Sequence, residues 1–276
     1  MDAASVETAG SGVQPFYFGP PGSELFGVFE SAAGEAGRAR DCGVLICQPV
    51  GQEYVRCHRA LRLLARRLVE AGFPVLRFDF FGCGDSAGES DEARLARWVA
   101  DVSAAAGQLR ARCAPARLAV VGVRLGASVA WRAGAGPLEV DRLVLWEPVV
   151  SGAEHVRELD AQHAALAAGP AHGAGGEVES LGFVYSRELL ADLSGLALDA
   201  AAGDAPARRV LILEQEPAQS GTEDAPEPAG ATRHGTAERV ECRRVTGTRF
   251  WLDEPFQAVM PEAGIREAIA WLSRWA

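Results

Sequence analysis

The sequence has no lysine, so all 27 of its basic residues are arginines. They are outnumbered by 37 aspartates and glutamates, which gives a formal net charge of −10, and no segment forms a basic tract. A chain with this charge balance is not expected to bind nucleic acid or an anionic membrane surface. No stretch has the length of a membrane span, and residues 1–14 lack the positive start and apolar run of a signal peptide. We therefore expect no membrane span, and a disordered tail over residues 1–12.

Cysteine motifs are also missing, because the six cysteines show neither a C-x-x-C pair nor a spacing typical of zinc ligands. This pattern predicts free and mostly buried thiols in a reducing cytoplasm, with no metal ion and no other cofactor. The cysteines are Cys42, Cys47, Cys57, Cys83, Cys113 and Cys242.

What the chain does have is enough apolar sequence for one large core, with 276 residues of which 48% are hydrophobic. Residues 16–18 and 25–29 flank a Gly- and Pro-rich turn and predict a hairpin. Short apolar runs then alternate with amphipathic segments, which predicts a parallel sheet covered by helices on both faces. The predicted strands are 43–47, 75–80, 118–123 and 142–146, and the predicted helices lie around 61–68, over 92–109 and from 126.

Residues 151–207 interrupt this alternation with Gly- and Ala-rich sequence and one predicted helix, 186–196. We interpret them as a cap inserted into a core made of residues 13–150 and 208–276. Strands are predicted again at 210–213 and 239–245, followed by a helix that begins at Pro261. The polar segment 217–236 between these two strands is expected to be mobile.

Two local sequences resemble motifs of the α/β-hydrolase superfamily. Residues 78–86 (FDFFGCGDS) resemble the D-x-x-G-x-G-x-S turn that follows its fourth strand, and residues 120–127 (VVGVRLGA) resemble its nucleophile elbow. Residues 47–54, 146–148 and 179–183 are most similar to the serine-aminopeptidase-like hydrolases found near exosortase and exopolysaccharide loci. The resemblance implies the α/β-hydrolase fold, a mostly parallel twisted sheet with an N-terminal antiparallel hairpin and a cap insertion.

Arg124 stands where the resemblance places the nucleophilic serine. Ser86 is the literal match to G-x-S-x-G, but it lies several residues beyond its strand, and an acidic run separates it from the next helix. The segment 118–123 instead leads directly from a strand into a helix with small residues, as an elbow requires. A plain strand-to-helix turn would explain this segment alone, but the flanking motifs favour the elbow. A guanidinium is permanently protonated and cannot act as an acyl-accepting nucleophile.

The other members of a catalytic triad are equally hard to find. The loop 251–261, where the resemblance places a histidine, contains none, and Phe256 takes its place. The acid is left open among Glu214, Glu216 and Asp224, but an acid without a base to orient has no triad role.

Two functions from different classes follow. The first is a non-catalytic pseudo-hydrolase that binds a small acyl or anionic ligand, or a protein partner, in a bacterial biosynthetic or export pathway. Its binding site would contain Arg124 and further residues of the same pocket, and Glu53 or Glu147 is expected to pair with Arg124. These further residues are Val50, Gly51, Glu53, Leu125, Glu147 and Phe256. The second is an active hydrolase or acyltransferase, of the esterase, thioesterase or peptidase type, with Ser86, Cys47 or Cys83 as its nucleophile.

Overall fold

The computed structural model describes residues 12–32, 39–166, 178–180, 182–198, 206–216, 239–252 and 260–274. Residues 1–11 of the predicted tail and the predicted mobile segment 217–236 lie outside these ranges. The strands are β1 (Val13–Phe18), β2 (Leu25–Glu30), β3 (Cys42–Cys47), β4 (Val75–Phe78), β5 (Arg117–Val123), β6 (Arg142–Trp146), β7 (Val178–Ser180), β8 (Phe183–Tyr185), β9 (Arg209–Glu216) and β10 (Val240–Thr246). The α-helices are α1 (Gln52–Glu70), α2 (Leu95–Cys113), α3 (Leu125–Gly134), α4 (Gly152–Leu166), α5 (Arg187–Ser194) and α6 (Glu262–Ser273). None of these helices is long and apolar enough to cross a bilayer.

Eight strands form one sheet in the order β1-β2-β4-β3-β5-β6-β9-β10. Strand β2 pairs antiparallel with both β1 and β4, and all later neighbours in the sheet are parallel. The predicted parallel pairing of β3 with β4 is confirmed, with Leu45 opposite Leu76. The chain has the predicted α/β-hydrolase fold, in which the N-terminal hairpin extends a parallel sheet.

Alternate residues of the central strands face opposite layers of helices, because successive side chains of a strand point to opposite faces. Val44 and Ile46 belong to the core that contains the buried faces of α1 and α6. Leu45 and Cys47 belong to the core that contains those of α2 and α3. The central strands are therefore apolar on both faces, which explains their continuous hydrophobic sequence.

Three predicted boundaries, the end of β4 and both ends of α2, were wrong for local reasons. Strand β4 ends at Phe78 instead of residue 80, because the Asp79 side chain accepts hydrogen bonds from Gln48 and from the backbone of Asp85 and so begins a turn. The helix predicted from residue 92 begins at Leu95, because Arg94 is extended with φ −143°. Its C-terminal end is Cys113, where Ala114 takes a left-handed conformation with φ 42°.

The insertion, as we call the described elements between β6 and β9, contains α4, the two-stranded β7–β8 sheet and α5. The prediction of a single helix over 186–196 was incomplete, because α4 was missed and the second helix is shorter, Arg187–Ser194. Helix α4 has few apolar residues at helical spacing, and the polar His155 lies on its buried side beside Leu159. That residues 151–207 form a separate cap stays a prediction.

Candidate functional site

Arg124 lies at a sharp turn between β5 and α3, at the carboxyl end of the central strand. Its backbone has φ 53° and ψ −125°, a conformation that is rare for a residue with a side chain. The Arg124 amide donates to the carbonyl oxygen of Trp146 at 2.9 Å, and its own carbonyl accepts from Ala127 at 3.0 Å. A strained residue between a strand and the first turn of a helix is the geometry of a nucleophile elbow.

Gly122 and Gly126 allow this turn to pack against the neighbouring strand. A Cβ atom on Gly126 would lie 2.3 Å from the carbonyl oxygen of Gln48, and one on Gly122 would lie 2.4 Å from the Cα atom of Ala127. Neither position has room for a side chain. The G-x-x-x-G spacing is therefore a packing requirement of the turn.

The Arg124 side chain is 12% exposed and is held by three groups. Its Nε donates to Glu53 Oε1 at 2.9 Å, and its Nη2 donates to Glu158 Oε2 at 3.2 Å. The guanidinium carbon also lies 5.3 Å from the centroid of the Trp251 ring, within the range of a cation–π contact. The expected ion pair with Glu53 is confirmed.

Glu147 lies near Arg124 but is bound elsewhere. It follows β6 with φ 47°, and its Oε1 accepts a hydrogen bond from the backbone amide of Gln215. Its effect on Arg124 is a favourable charge interaction without a hydrogen bond. Of the two carboxylates expected to pair with Arg124, only Glu53 does so, because Glu147 bridges from the end of β6 to β9.

Burial and charge act in opposite directions on the Arg124–Glu53 pair. Burial alone would lower the pKa of the Arg124 guanidinium, but the Glu53 carboxylate reverses this, so the pKa is raised. Burial raises the pKa of Glu53, and Arg124 opposes that shift. Removal of Arg124 would leave the buried Glu53 carboxylate without its hydrogen-bond partner.

Sequence reasoning missed two residues of α4 that approach Arg124. One is Glu158, and the other is His155, whose Nδ1 lies 4.0 Å from Glu158 Oε2. Burial, with a smaller contribution from Arg124, lowers the pKa of His155 to about 4. The available signal was the i, i+3 spacing of these two polar residues, which places both on one face of a helix.

Val50 and Gly51, predicted to line the pocket, border a cavity of about 220 Å³ on the side of the turn that follows β4. Tyr54, Cys83 and Tyr185 also line it. Gly51 has φ 62°, and a Cβ atom there would lie 2.0 Å from the Tyr185 hydroxyl oxygen. Neither Glu53 nor Arg124 is among the residues that line this cavity, and Leu125 lies buried at the start of α3.

Ser86 makes two backbone contacts that join the turn after β4 to β2. Its hydroxyl donates to the carbonyl oxygen of Asp79 at 2.6 Å and accepts from the amide of Phe26 at 2.9 Å. Nucleophilic attack would require the hydroxyl to leave both partners. The literal G-x-S-x-G match thus coincides with a serine that fixes a turn.

The cysteines considered as nucleophiles are not activated. Burial raises the pKa of Cys47, and burial with the nearby Asp79 and Asp101 raises the pKa of Cys83 to about 12. Both thiols are therefore protonated near neutral pH, whereas the thiolate is the reactive form. All six cysteines are free in the described structure.

Other predicted triad positions give no acid–base pair among the described residues. Glu214 and Glu216 lie 3.2 and 3.8 Å from the guanidinium of Arg244, whereas Asp224 lies outside the described residues. Phe256 also lies outside them, so its predicted position in the pocket stays a prediction. Within the described ranges, no group of three or more His, Cys, Asp and Glu side chains is arranged to hold a metal ion.

Comparison with known proteins supports the fold. The family model for serine aminopeptidase, S33, matches residues 50–174, somewhat less than half of the chain. No curated protein is recognisably similar in sequence.

Several solved structures share the fold over almost the whole chain. Est1E from Butyrivibrio proteoclasticus, solved with ferulic acid bound, is 15% identical, with a TM-score of 0.64 over 92% of this chain and 98% of that one. The Pyrococcus furiosus esterase Pf2001 is also 15% identical, with a TM-score of 0.60 over 95% and 90%. An α/β serine hydrolase without a lid from Xanthomonas campestris is 18% identical, with a TM-score of 0.57 over 95% and 94%.

Proposed function

We propose that this α/β-hydrolase-fold protein does not carry out serine hydrolase chemistry and instead binds a small anionic or acyl ligand at Arg124. The observation that carries the proposal is the position of Arg124, which occupies the strained turn between β5 and α3 with its guanidinium in a largely buried site. This turn holds the nucleophile of α/β-hydrolases. An arginine in that position offers a positive charge and hydrogen-bond donors in place of a nucleophile.

The contacts of the alternative nucleophiles support the same proposal. The Ser86 hydroxyl is bound to two backbone groups, and burial keeps the thiols of Cys47 and Cys83 protonated. An active hydrolase or acyltransferase would need one of them to be released or deprotonated and a base to accept the proton. We therefore favour binding over catalysis.

Two features of the Arg124 turn favour an anionic ligand. The first amide groups of α3 have no acceptor within their own helix and lie at its positive end. Arg124 is the N-cap residue of α3, and its guanidinium presents several donors in a planar arrangement that suits a carboxylate. Because the Arg124 side chain is largely buried, we favour a small ligand over a protein partner.

We also propose that the protein works in the bacterial cytoplasm, in a biosynthetic or export pathway. The resemblance to hydrolases encoded near exopolysaccharide loci implies the pathway. The six free cysteines are in keeping with a reducing compartment.

A fluorophosphonate probe tests the non-hydrolytic part of the proposal. We expect no adduct by intact-mass spectrometry and no turnover of short-chain nitrophenyl esters above background, since loss of a triad member costs about a factor of 10⁴. A Ser86→Ala variant is the matched control. A stoichiometric adduct or turnover that disappears in this variant would show that Ser86 is a nucleophile and would refute the proposal.

A further inference from the structure

The Glu158 carboxylate lies close to nitrogen atoms from two different elements. Its Oε2 accepts from Arg124 Nη2 at 3.2 Å and lies 4.0 Å from His155 Nδ1. The first nitrogen belongs to the strand-to-helix turn of the core and the second to α4. One oxygen at this point, moved slightly towards His155, would be within hydrogen-bond distance of both.

His155 Nδ1 is buried and has no hydrogen-bond partner among the described residues. The residue is 4% exposed, so this nitrogen is removed from water. A buried polar atom without a partner lowers stability, and native structures rarely keep one without a role. The second carboxylate oxygen of Glu53 is in the same situation.

The two carboxylates bound to Arg124 differ in how firmly they are held. Glu53 is 5% exposed and lies in the first turn of α1, whereas Glu158 is 56% exposed on α4. Because the Glu158 carboxylate is more than half exposed, it regains contact with water when it leaves Arg124, so its departure costs less than that of Glu53 would. Glu53 would leave a buried charge behind and therefore stays.

We propose that Glu158 Oε2 marks the position of a ligand oxygen and that the ligand is a monocarboxylate, which displaces Glu158 and binds both Arg124 and His155. This inference rests on the proposed function and names the class of its ligand. Glu158 is then a built-in competitor that fills the anion position until a free carboxylate replaces it.

The charges around Arg124 favour a ligand that carries a single negative charge. Arg124 is already paired with Glu53, and Glu147 adds a further carboxylate within electrostatic range. Exchange of the Glu158 carboxylate for that of a ligand leaves the local charge unchanged. A phosphate dianion would add a second negative charge next to Glu53 and Glu147, which is unfavourable in a largely buried site.

Calorimetric titration with sodium butyrate tests this inference in the variant Glu158→Gln. We expect butyrate to bind about fivefold more tightly than to the wild type, the factor set by loss of a partly exposed competing ion pair. Glu154→Gln is the matched control, because Glu154 is exposed on the same helix and pairs with Arg157. It should leave the affinity for butyrate unchanged.

Inorganic phosphate and His155 provide the remaining readouts. Phosphate should bind at least tenfold more weakly than butyrate, and the nitrogen-15 resonance of His155 Nδ1 should shift when butyrate is added. An unchanged butyrate affinity in Glu158→Gln, or phosphate binding equal to that of butyrate, would overturn the inference.

If Arg124→Met abolishes butyrate binding while Glu158→Gln has no effect, only the inference fails. If Arg124→Met binds butyrate as the wild type does, the proposed function fails as well.

Discussion

At the scale of single residues, the backbone of Arg124 and the contacts of its side chain support one another. A residue with a side chain in this region of φ and ψ is strained by about 1–3 kcal/mol. The bond to Glu53 and the contact with the Trp251 ring hold the side chain where the strained backbone directs it. Strain of this kind is typical of functional positions.

Substitution of Ser86 separates a structural role from a catalytic one. Ser86→Ala leaves the Phe26 amide without its acceptor and removes the hydroxyl bound to the Asp79 carbonyl. We predict that it lowers the free energy of unfolding by about 1–3 kcal/mol, as measured by urea denaturation. Ser194→Ala is the control, because that hydroxyl lies on the exposed end of α5 and should contribute almost nothing. Equal stability of the two variants would contradict this reading of Ser86.

His155 should make the stability of the protein depend on pH. Its folded pKa is about 4 against an ordinary 6.5, so only the unfolded chain takes up this proton between those values. The free energy of unfolding therefore keeps its full value, as far as His155 is concerned, above pH 6.5. It decreases by up to about 3 kcal/mol as the pH falls towards 4.

Urea denaturation of the wild type and of His155→Gln measures this effect. The variant keeps the other titrating groups around the site, Glu53, Glu147 and Glu158, so their contributions should largely cancel. We predict that the stability of the wild type falls relative to the variant from pH 6.5 downwards. Parallel curves for the two proteins would show that His155 is not held in its neutral form.

The sequence predicted the Arg124–Glu53 pair because each residue follows the carboxyl end of a parallel strand, and these ends meet at one edge of the sheet. It did not predict Glu158 and His155. Both lie on α4, whose sequence has too few apolar residues at helical spacing to indicate a helix, and their position near Arg124 depends on how the insertion folds back. The sequence also did not indicate which of Glu53 and Glu147 pairs with Arg124. Glu147 is instead held by a hydrogen bond from the Gln215 amide, which no local pattern indicates.

At the scale of elements, the close contact between α3 and the end of β3 fixes the Arg124 turn. Gly126 packs against the carbonyl oxygens of Cys47 and Gln48, at the edge of the sheet where Arg124 meets Glu53. Displacement of α3 from this position would move the guanidinium relative to Glu53. The turn between β5 and α3 is therefore as important to the site as the side chains themselves.

We predict that Gly126→Ala destabilises the protein, because its Cβ atom would lie 2.3 Å from the Gln48 carbonyl oxygen. Overpacking of this kind costs about 1–3 kcal/mol. Gly107→Ala is the matched control, since nothing lies within 4 Å of a Cβ atom there and the position is inside α2. Thermal unfolding should show a lower melting temperature for the first variant and an unchanged or higher one for the second. Equal melting temperatures would mean that the contact between α3 and β3 is loose.

At the scale of the whole molecule, the fold could be predicted because apolar strands alternate with amphipathic helices and two turn motifs resemble those of α/β-hydrolases. The three solved structures compared above are only 15–18% identical to the chain. At such low sequence identity, the sheet and its covering helices are shared by proteins with this fold. The residue at the central turn can differ from one protein to the next. Function must therefore be read from Arg124 and its partners.

Calorimetric titration of butyrate into the wild type, Arg124→Met and Arg77→Met tests the role of Arg124 most directly. Arg77 is the matched control, because it forms a buried pair with Glu30 between β4 and β2 and is not among the contacts of Arg124, with both side chains close to 10% exposed. Both substitutions should lower stability through loss of a buried ion pair, by about 3–5 kcal/mol, so titrations belong at a temperature where all three proteins are folded. We predict that Arg77→Met binds butyrate as the wild type does and that Arg124→Met binds at least tenfold more weakly. Equal affinity of all three proteins would contradict a binding site at Arg124.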